Sequence, residues 1–106
     1  MHHALQTLLT HIVQAQNEQD ADLFISLFDK NLQNTINRDS IIQMQSDLYA
    51  EFGRMLTPTP LAHWQKESNP WLLYHVRFDK SPNDFLLSIL FNGEPGIAQA
   101  LAIHIS

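Results

Sequence analysis

Apolar residues recur with a helical period over residues 3 to about 17, where Leu5, Leu8, Leu9, Ile12, Val13 and Gln16 follow the i, i+3, i+4, i+7 rule. Asn17-Glu18-Gln19-Asp20 interrupts that pattern, and the Asp20 carboxylate is suited to accept from the first free amides of a following helix. The second helix carries Leu23, Phe24, Leu27 and Phe28 on one side. It is expected to end near Asp29-Lys30, before a short turn holding Leu32 and Ile36. In the third, Ser40 and Gln43 have the spacing of a capping box, and Asp39 adds a negative charge at the positive end of the helix dipole. Ile41, Met44, Gln45, Leu48 and Phe52 form its stripe, widened by Ile42 and Tyr49, and Gly53 is expected to stop it.

After Gly53 the period changes from helical to alternating. Arg54 to Lys66 reads as an edge strand, since Pro58 and Pro60 have no amide to give a ladder. Trp71 to Phe78, Asp84 to Phe91 and Ile97 to Ile105 follow, separated by turns rich in Pro, Asn, Ser and Gly. Short turns between successive strands imply antiparallel pairing, in a sheet of four or five strands.

Side-chain alternation gives an expected register. Pairing Phe91 with Ile97 sets Ile89 opposite Gln99, Leu87 opposite Leu101 and Phe85 opposite Ile103. Pairing Phe78 with Phe85 extends this face through Val76, Tyr74 and Leu72. This is the expected concave side, to be covered by the helices, with Tyr74 and Gln99 as its polar groups. His63 turns inward if Lys66 pairs with Trp71, whereas a three-residue turn brings in Trp64 instead; the larger gain on burying Trp64 favours the second. The opposite face then holds Trp71, Leu73, His75, Arg77, Leu86, Ser88, Leu90, Ala98, Ala100, Ala102 and His104, with Asp84 and His104 paired at its edge. Three alanines beside three leucines make a flat, semi-apolar platform suited to a partner sheet.

Composition narrows the function classes. At 106 residues there is room for one domain, with 44% hydrophobic and 16% charged residues as in globular chains. The formal charge is −5, and the six basic residues are scattered singly, which argues against nucleic acid and against anionic membranes. No cysteine is present, so disulfides, thiolate metal sites and a cysteine nucleophile are excluded. No apolar run has the length of a membrane span and no leader is visible at Met1-His2-His3-Ala4, so a cytoplasmic protein is expected. His2 and His3 are either native or the trace of a tag.

The candidate chemistry is sparse. His11, His63, His75 and His104 are dispersed without ligand spacing, so no metal or cofactor is expected. Neither a nucleophile elbow nor a phosphate loop is present, and paired catalytic carboxylates are lacking as well. Tyr74, Gln99, Tyr49 and His63 are the candidate lining of an interior ligand pocket, each with packing or surface exposure as its plainer role. Trp71 is a candidate interface anchor, or else cover for the sheet edge.

Three N-terminal helices, Glu51-Phe52-Gly53-Arg54, and strands ending in Ile97-Ala98-Gln99-Ala100-Leu101-Ala102-Ile103 resemble the nuclear transport factor 2-like superfamily, in its short bacterial branch of uncharacterised domains. The family's usual glycine in the last strand is here Ala100. The resemblance spans nearly the whole chain through pattern rather than through an invariant motif. It implies a single cone-like, cystatin-like α+β domain over 1–106, a bent sheet around three helices with an interior pocket, and members that commonly dimerise through the sheet. The steroid-isomerase branch of the family uses a tyrosine in its first helix and acidic pocket groups. The first helix here has His11 as its nearest polar aromatic, and the concave strand positions carry no Asp or Glu, so no catalytic residue is carried over. The expected function is a non-catalytic homodimer or small-ligand-binding domain. Its dimer face would be Trp71, Leu73, His75, Leu86, Ser88, Leu90, Ala98, Ala100 and Ala102, and its ligand a small apolar one. The alternative is a small pocket enzyme of the isomerase, dehydratase or hydrolase type, using tyrosine and histidine groups in the cone.

Overall fold

In the computed structural model, which describes residues 2–66, 69–92 and 99–106, helices precede strands as the change of period implies. The order is α1 (His2–Asn17), α2 (Ala21–Ser26), α3 (Lys30–Gln33), α4 (Arg38–Phe52), β1 (Thr59–Lys66), β2 (Asn69–Val76), β3 (Phe85–Asn92) and β4 (Gln99–Ile105). The strands form one antiparallel sheet in chain order, β1-β2-β3-β4. The fold is therefore α+β, with four helices rather than three.

The ends of the helices follow from local hydrogen bonding. α1 closes with the Asp20 N–H donating back to the Ala15 carbonyl at 2.8 Å. This wrap puts Gln19 at φ +51, a left-handed conformation where glycine is the usual residue. Asp20 caps α2 as expected, accepting from the Leu23 amide at 3.0 Å. The extra helix α3 forms because Asp29 accepts from the Asn31 amide at 2.9 Å, starting one helical turn where a simple turn was expected. α4 begins earlier than the Ser40 capping box suggested. Asn37 is the cap, accepting from the Ser40 amide at 3.1 Å, so Ser40 lies inside the first turn. Gly53 ends α4 at φ +86, donating to the Tyr49 carbonyl at 2.9 Å. A Cβ at Gly53 would run into the Asp79 carboxylate, so both the dihedral and the packing call for glycine.

The expected strand from Arg54 divides in two. Met55 bridges Phe78, while Leu56 donates to the Arg77 carbonyl at 2.8 Å and Asp79 to the Arg54 carbonyl at 2.9 Å. Only at Thr59 does β1 begin pairing with β2. This short annex removes Phe78 from the β2–β3 hairpin, and the expected Phe78–Phe85 pairing is replaced by Val76–Phe85. The slip is of two residues, so Leu72, Tyr74 and Val76 keep their face.

The β3–β4 register differs more. Ile89 pairs with Ile103 and Leu87 with Ile105, in place of Gln99 and Leu101. A bulge between Leu90 and Phe91 then sets Phe91 opposite Ala100 and Asn92 opposite Gln99. A bulge reverses the parity of everything beyond it. Ala100, expected on the outer face, is therefore fully buried with Ala15, Phe24 and Phe28. Gln99, expected inside, shares a face with Leu90's neighbours on the outside. The buried position of Ala100 is fixed from its other side as well, since its N–H donates to the Leu27 carbonyl at 2.8 Å and its carbonyl accepts from Asp29 at 2.9 Å.

The main core joins Leu8 and Ile12 of α1, Leu27 and Met55 to one sheet face, through Tyr74, Val76, Leu87, Ile89, Phe91 and the annex residue Phe78. Phe52, Phe78 and Phe85 form a ring cluster with centroids 4.9 to 5.7 Å apart, within the range of favourable tilted packing. Two buried amides link the helices. Gln45 Nε2 donates to the Ala15 and Asp20 carbonyls at 3.2 and 3.3 Å, and Gln16 Nε2 donates to the Gln45 carbonyl at 3.2 Å.

Candidate functional site

The proposed interior pocket residues do not converge. Tyr74 is 9% exposed and belongs to the packed core, where burial pushes its hydroxyl above the ordinary tyrosine range. Tyr49 is half-buried on α4, and Gln99 lies across the bulge on the other face. His63 pairs with Leu72, Trp64 with Trp71 and Lys66 with Asn69. The register therefore sets His63 on the face that Leu72 shares with the core, the alternative that the burial argument disfavoured. His63 is nevertheless exposed, because it lies on the edge strand. Inside, a cavity of about 30 Å³ remains, lined by Ile12, Gln16, Phe24, Met44, Met55, Ile103 and Ile105. That is space for about one or two water molecules and too small for an organic ligand.

A larger cleft lies elsewhere, between α1 and residues 54–58, with a volume of about 380 Å³. Leu9, Val13 and Pro58 give it apolar walls, and Thr10, Gln14, Glu18 and Arg54 supply polar groups. Its shape depends on Asn17, whose amide donates to the Met55 carbonyl at 3.0 Å and accepts the Met55 N–H at 2.7 Å. One side chain thus imitates a strand neighbour and holds the segment leading to β1 against the end of α1. Nothing in the hydrophobic pattern marked this site, because its polar residues lie on the solvent side of α1 and in a segment read as strand.

The sheet face opposite the core carries most of the expected platform. Register rows run Trp71–Leu90–Ala102, Leu73–Ser88–His104 and His75–Leu86 across β2, β3 and β4. Trp71, Leu73, His75, Leu86, Ser88, Leu90 and Ala102 are all half-buried. Ala100 leaves this face for the core, and Ala98 lies outside the described residues. At one margin His75 Nε2 is 2.7 Å from Asp84 Oδ1, and Arg77 Nε is 3.8 Å from the same oxygen. The His75 hydrogen bond holds the Asp84 carboxyl below the usual carboxylate range, with Arg77 adding to it. The expected Asp84–His104 pair does not form. The changed register sets His104 opposite Ser88, and Asp84 turns to His75.

Among the described residues, no group of three or more His, Asp or Glu side chains is arranged to hold a metal ion. No helix of the described residues is long and apolar enough to cross a membrane. No family model matches the chain, and no curated protein matches it.

Proposed function

We propose that this chain is a non-catalytic interaction domain of the nuclear transport factor 2-like kind, and that its outer sheet face docks on a second copy. The observation that carries this reading is the strip formed by Trp71, Leu73, Leu86, Leu90 and Ala102, apolar and half-buried across three adjacent strands. Aromatic and leucine side chains presented on a regular sheet supply area at little cost in side-chain entropy, as interface centres require. The cone-like form of that family is part of the same reading. Bulges at Pro60/Ala62 and Leu90/Phe91 are irregularities of the kind that bend strands, which supports a curved sheet. The rival reading as a pocket enzyme needs an open interior, and a 30 Å³ remnant among the described residues gives it little support.

Light scattering tests the proposal. The expected result is a dimer at tens of micromolar that Leu73→Arg separates without loss of the helical and sheet signals. A strict monomer at that concentration overturns the dimer.

A second, ligand-binding reading draws on the cleft of about 380 Å³ at α1, which falls within the size range of small-molecule sites. Its mixed lining favours a small ligand with both apolar and polar parts, where the sequence reading expected an apolar one. Arg54→Ala, compared with the wild-type chain in ligand-detected NMR against a fragment mixture, tests it. Saturable binding lost in the variant supports a ligand site, and equal signals from both chains refute it.

A further inference from the structure

The two edges of the sheet are treated differently by the sequence. β1 is defended. Pro60 has no amide, and a bulge follows it. β4 has none of these devices from Ala102 to Ser106, a run of Ala-Ile-His-Ile-Ser without proline, glycine or formal charge apart from the histidine.

The hydrogen-bond parity of β4 follows from its last pair. Leu86 donates to the Ser106 carbonyl at 2.9 Å, and Ser106 donates back to the Leu86 carbonyl at 3.0 Å. Such mutual pairs recur at every second residue of an antiparallel ladder. Ala102 and His104 therefore bond to β3, and Ile103 and Ile105 turn their N–H and C=O groups outward. The Phe28 segment covers this outward side only at Ala100, through Leu27 and Asp29. Beyond it, no hydrogen bond joins a described residue to the backbone of Ile103 or Ile105. Their side chains also remain half-buried, where Leu87 and Ile89 on the neighbouring strand are 0% and 1% exposed.

We propose that this free edge pairs with the same edge of a second copy, antiparallel about His104. Ile103 then lies opposite Ile105 of the second copy, and Ile105 opposite its Ile103. Unpaired donors and acceptors alternating along a strand are met by an extended backbone and by little else. The β4 edge is self-complementary in this register, because the four outward groups of each copy are satisfied by the same four of the other. The side chains from Gln99 to Ser106 also include no Asp, Glu, Lys or Arg, so two chains of formal charge −5 meet where neither places an acidic side chain. The contact goes beyond the outer-face docking proposed above. It uses a different surface, and together the two would build an assembly larger than a dimer.

The test combines sedimentation with amide exchange on the full chain. Ile105→Pro removes one outward donor and leaves the bonds to β3 in place, the setting in which an edge strand accepts proline. Ile105→Ala removes the side chain but keeps the donor. The expected result is that the Ile103 and Ile105 amides gain about tenfold or more protection as the protein is concentrated. Ile105→Pro then falls back from the larger assembly to the dimer that the outer face alone supports, and Ile105→Ala and Leu73→Arg both retain edge protection. Overturning results are rapid exchange at Ile103 and Ile105 at every concentration, or an Ile105→Pro chain that associates like wild type. Loss of association in Leu73→Arg alone, with Ile103 and Ile105 unprotected throughout, keeps the outer-face reading and overturns this one.

Discussion

Gln45 and Asn17 are two polar side chains whose work is internal. Gln45 is fully buried between three helical segments, and its amide is the shared donor to Ala15 and Asp20. Gln45→Ala leaves those carbonyls without that donor, and a loss of about 1–3 kcal/mol in urea unfolding is expected. From the sequence alone Gln45 was assigned to the buried stripe by its spacing, yet its partners are loop and helix-end carbonyls that no period reveals. Tyr74 was placed correctly on the inner face, but as a pocket group rather than as packing. Because burial raises its pKa, the stability it contributes is fully present below the ordinary tyrosine value and lost as pH rises through the higher folded-state value. Melting curves collected from pH 9 upward (about one unit below the free value) should fall more steeply for the wild-type chain than for Tyr74→Phe.

At the scale of elements, the helix–strand boundaries expose where local reasoning succeeds. Asp20 and Gly53 were readable as start and stop because each acts on amides within a few residues. Gln19 was not readable as the left-handed closing residue of α1, since nothing but the wrap to Ala15 demands it. Gln19→Gly relieves that conformation and should stabilise the protein by about 0.5–1 kcal/mol; Gly53→Ala should destabilise it by more, because its φ of +86 and the Asp79 contact both resist a Cβ. Paired thermal melts give both signs in one experiment. The β4 register was misjudged for a related reason. Alternation fixes parity but not the offset, so pairings two or four residues apart look alike until a bulge or an annex chooses among them. Ala100 illustrates the cost of the wrong choice. On the outer face Ala100→Arg would only separate a dimer, but in the core beside Phe24 and Phe28 it forces a charge into a fully buried site. Its expected outcome is loss of the folded state, seen as loss of cooperative unfolding by circular dichroism.

Across the whole molecule, the helices-first order, the antiparallel meander and most of the membership of the two sheet faces were legible, because they depend on periods and turns, but Gln99 and Ala100, beyond the bulge, were assigned to the wrong faces. The site was less so. The cleft at α1 arises from Asn17 gripping Met55, thirty-eight positions away in sequence, and no local signal announces such a contact. The core is similarly non-local, with Phe78 in the annex meeting Phe52 of α4 and Phe85 of β3. Phe78 is 1% exposed, and Phe78→Ala should cost about 3–5 kcal/mol, measured by denaturant unfolding. The exposed ion pair Arg38–Asp22 joins α2 to α4 with two contacts of 2.8 and 3.3 Å, and its removal should change that stability little by comparison.

The bulge opposite Phe91 makes β4 a strand with two grammars. On the C-terminal side odd-numbered residues face the core, and beyond Leu101 toward the N-terminal side the even-numbered Ala100 does. A relative lacking the extra residue at Leu101 would return β4 to unbroken alternation, with position 100 still facing the core and position 99 still outside. Homologues should therefore keep a small apolar side chain at position 100 whether or not they carry the extra residue, and its loss should be tolerated without any reversal of polarity on either side.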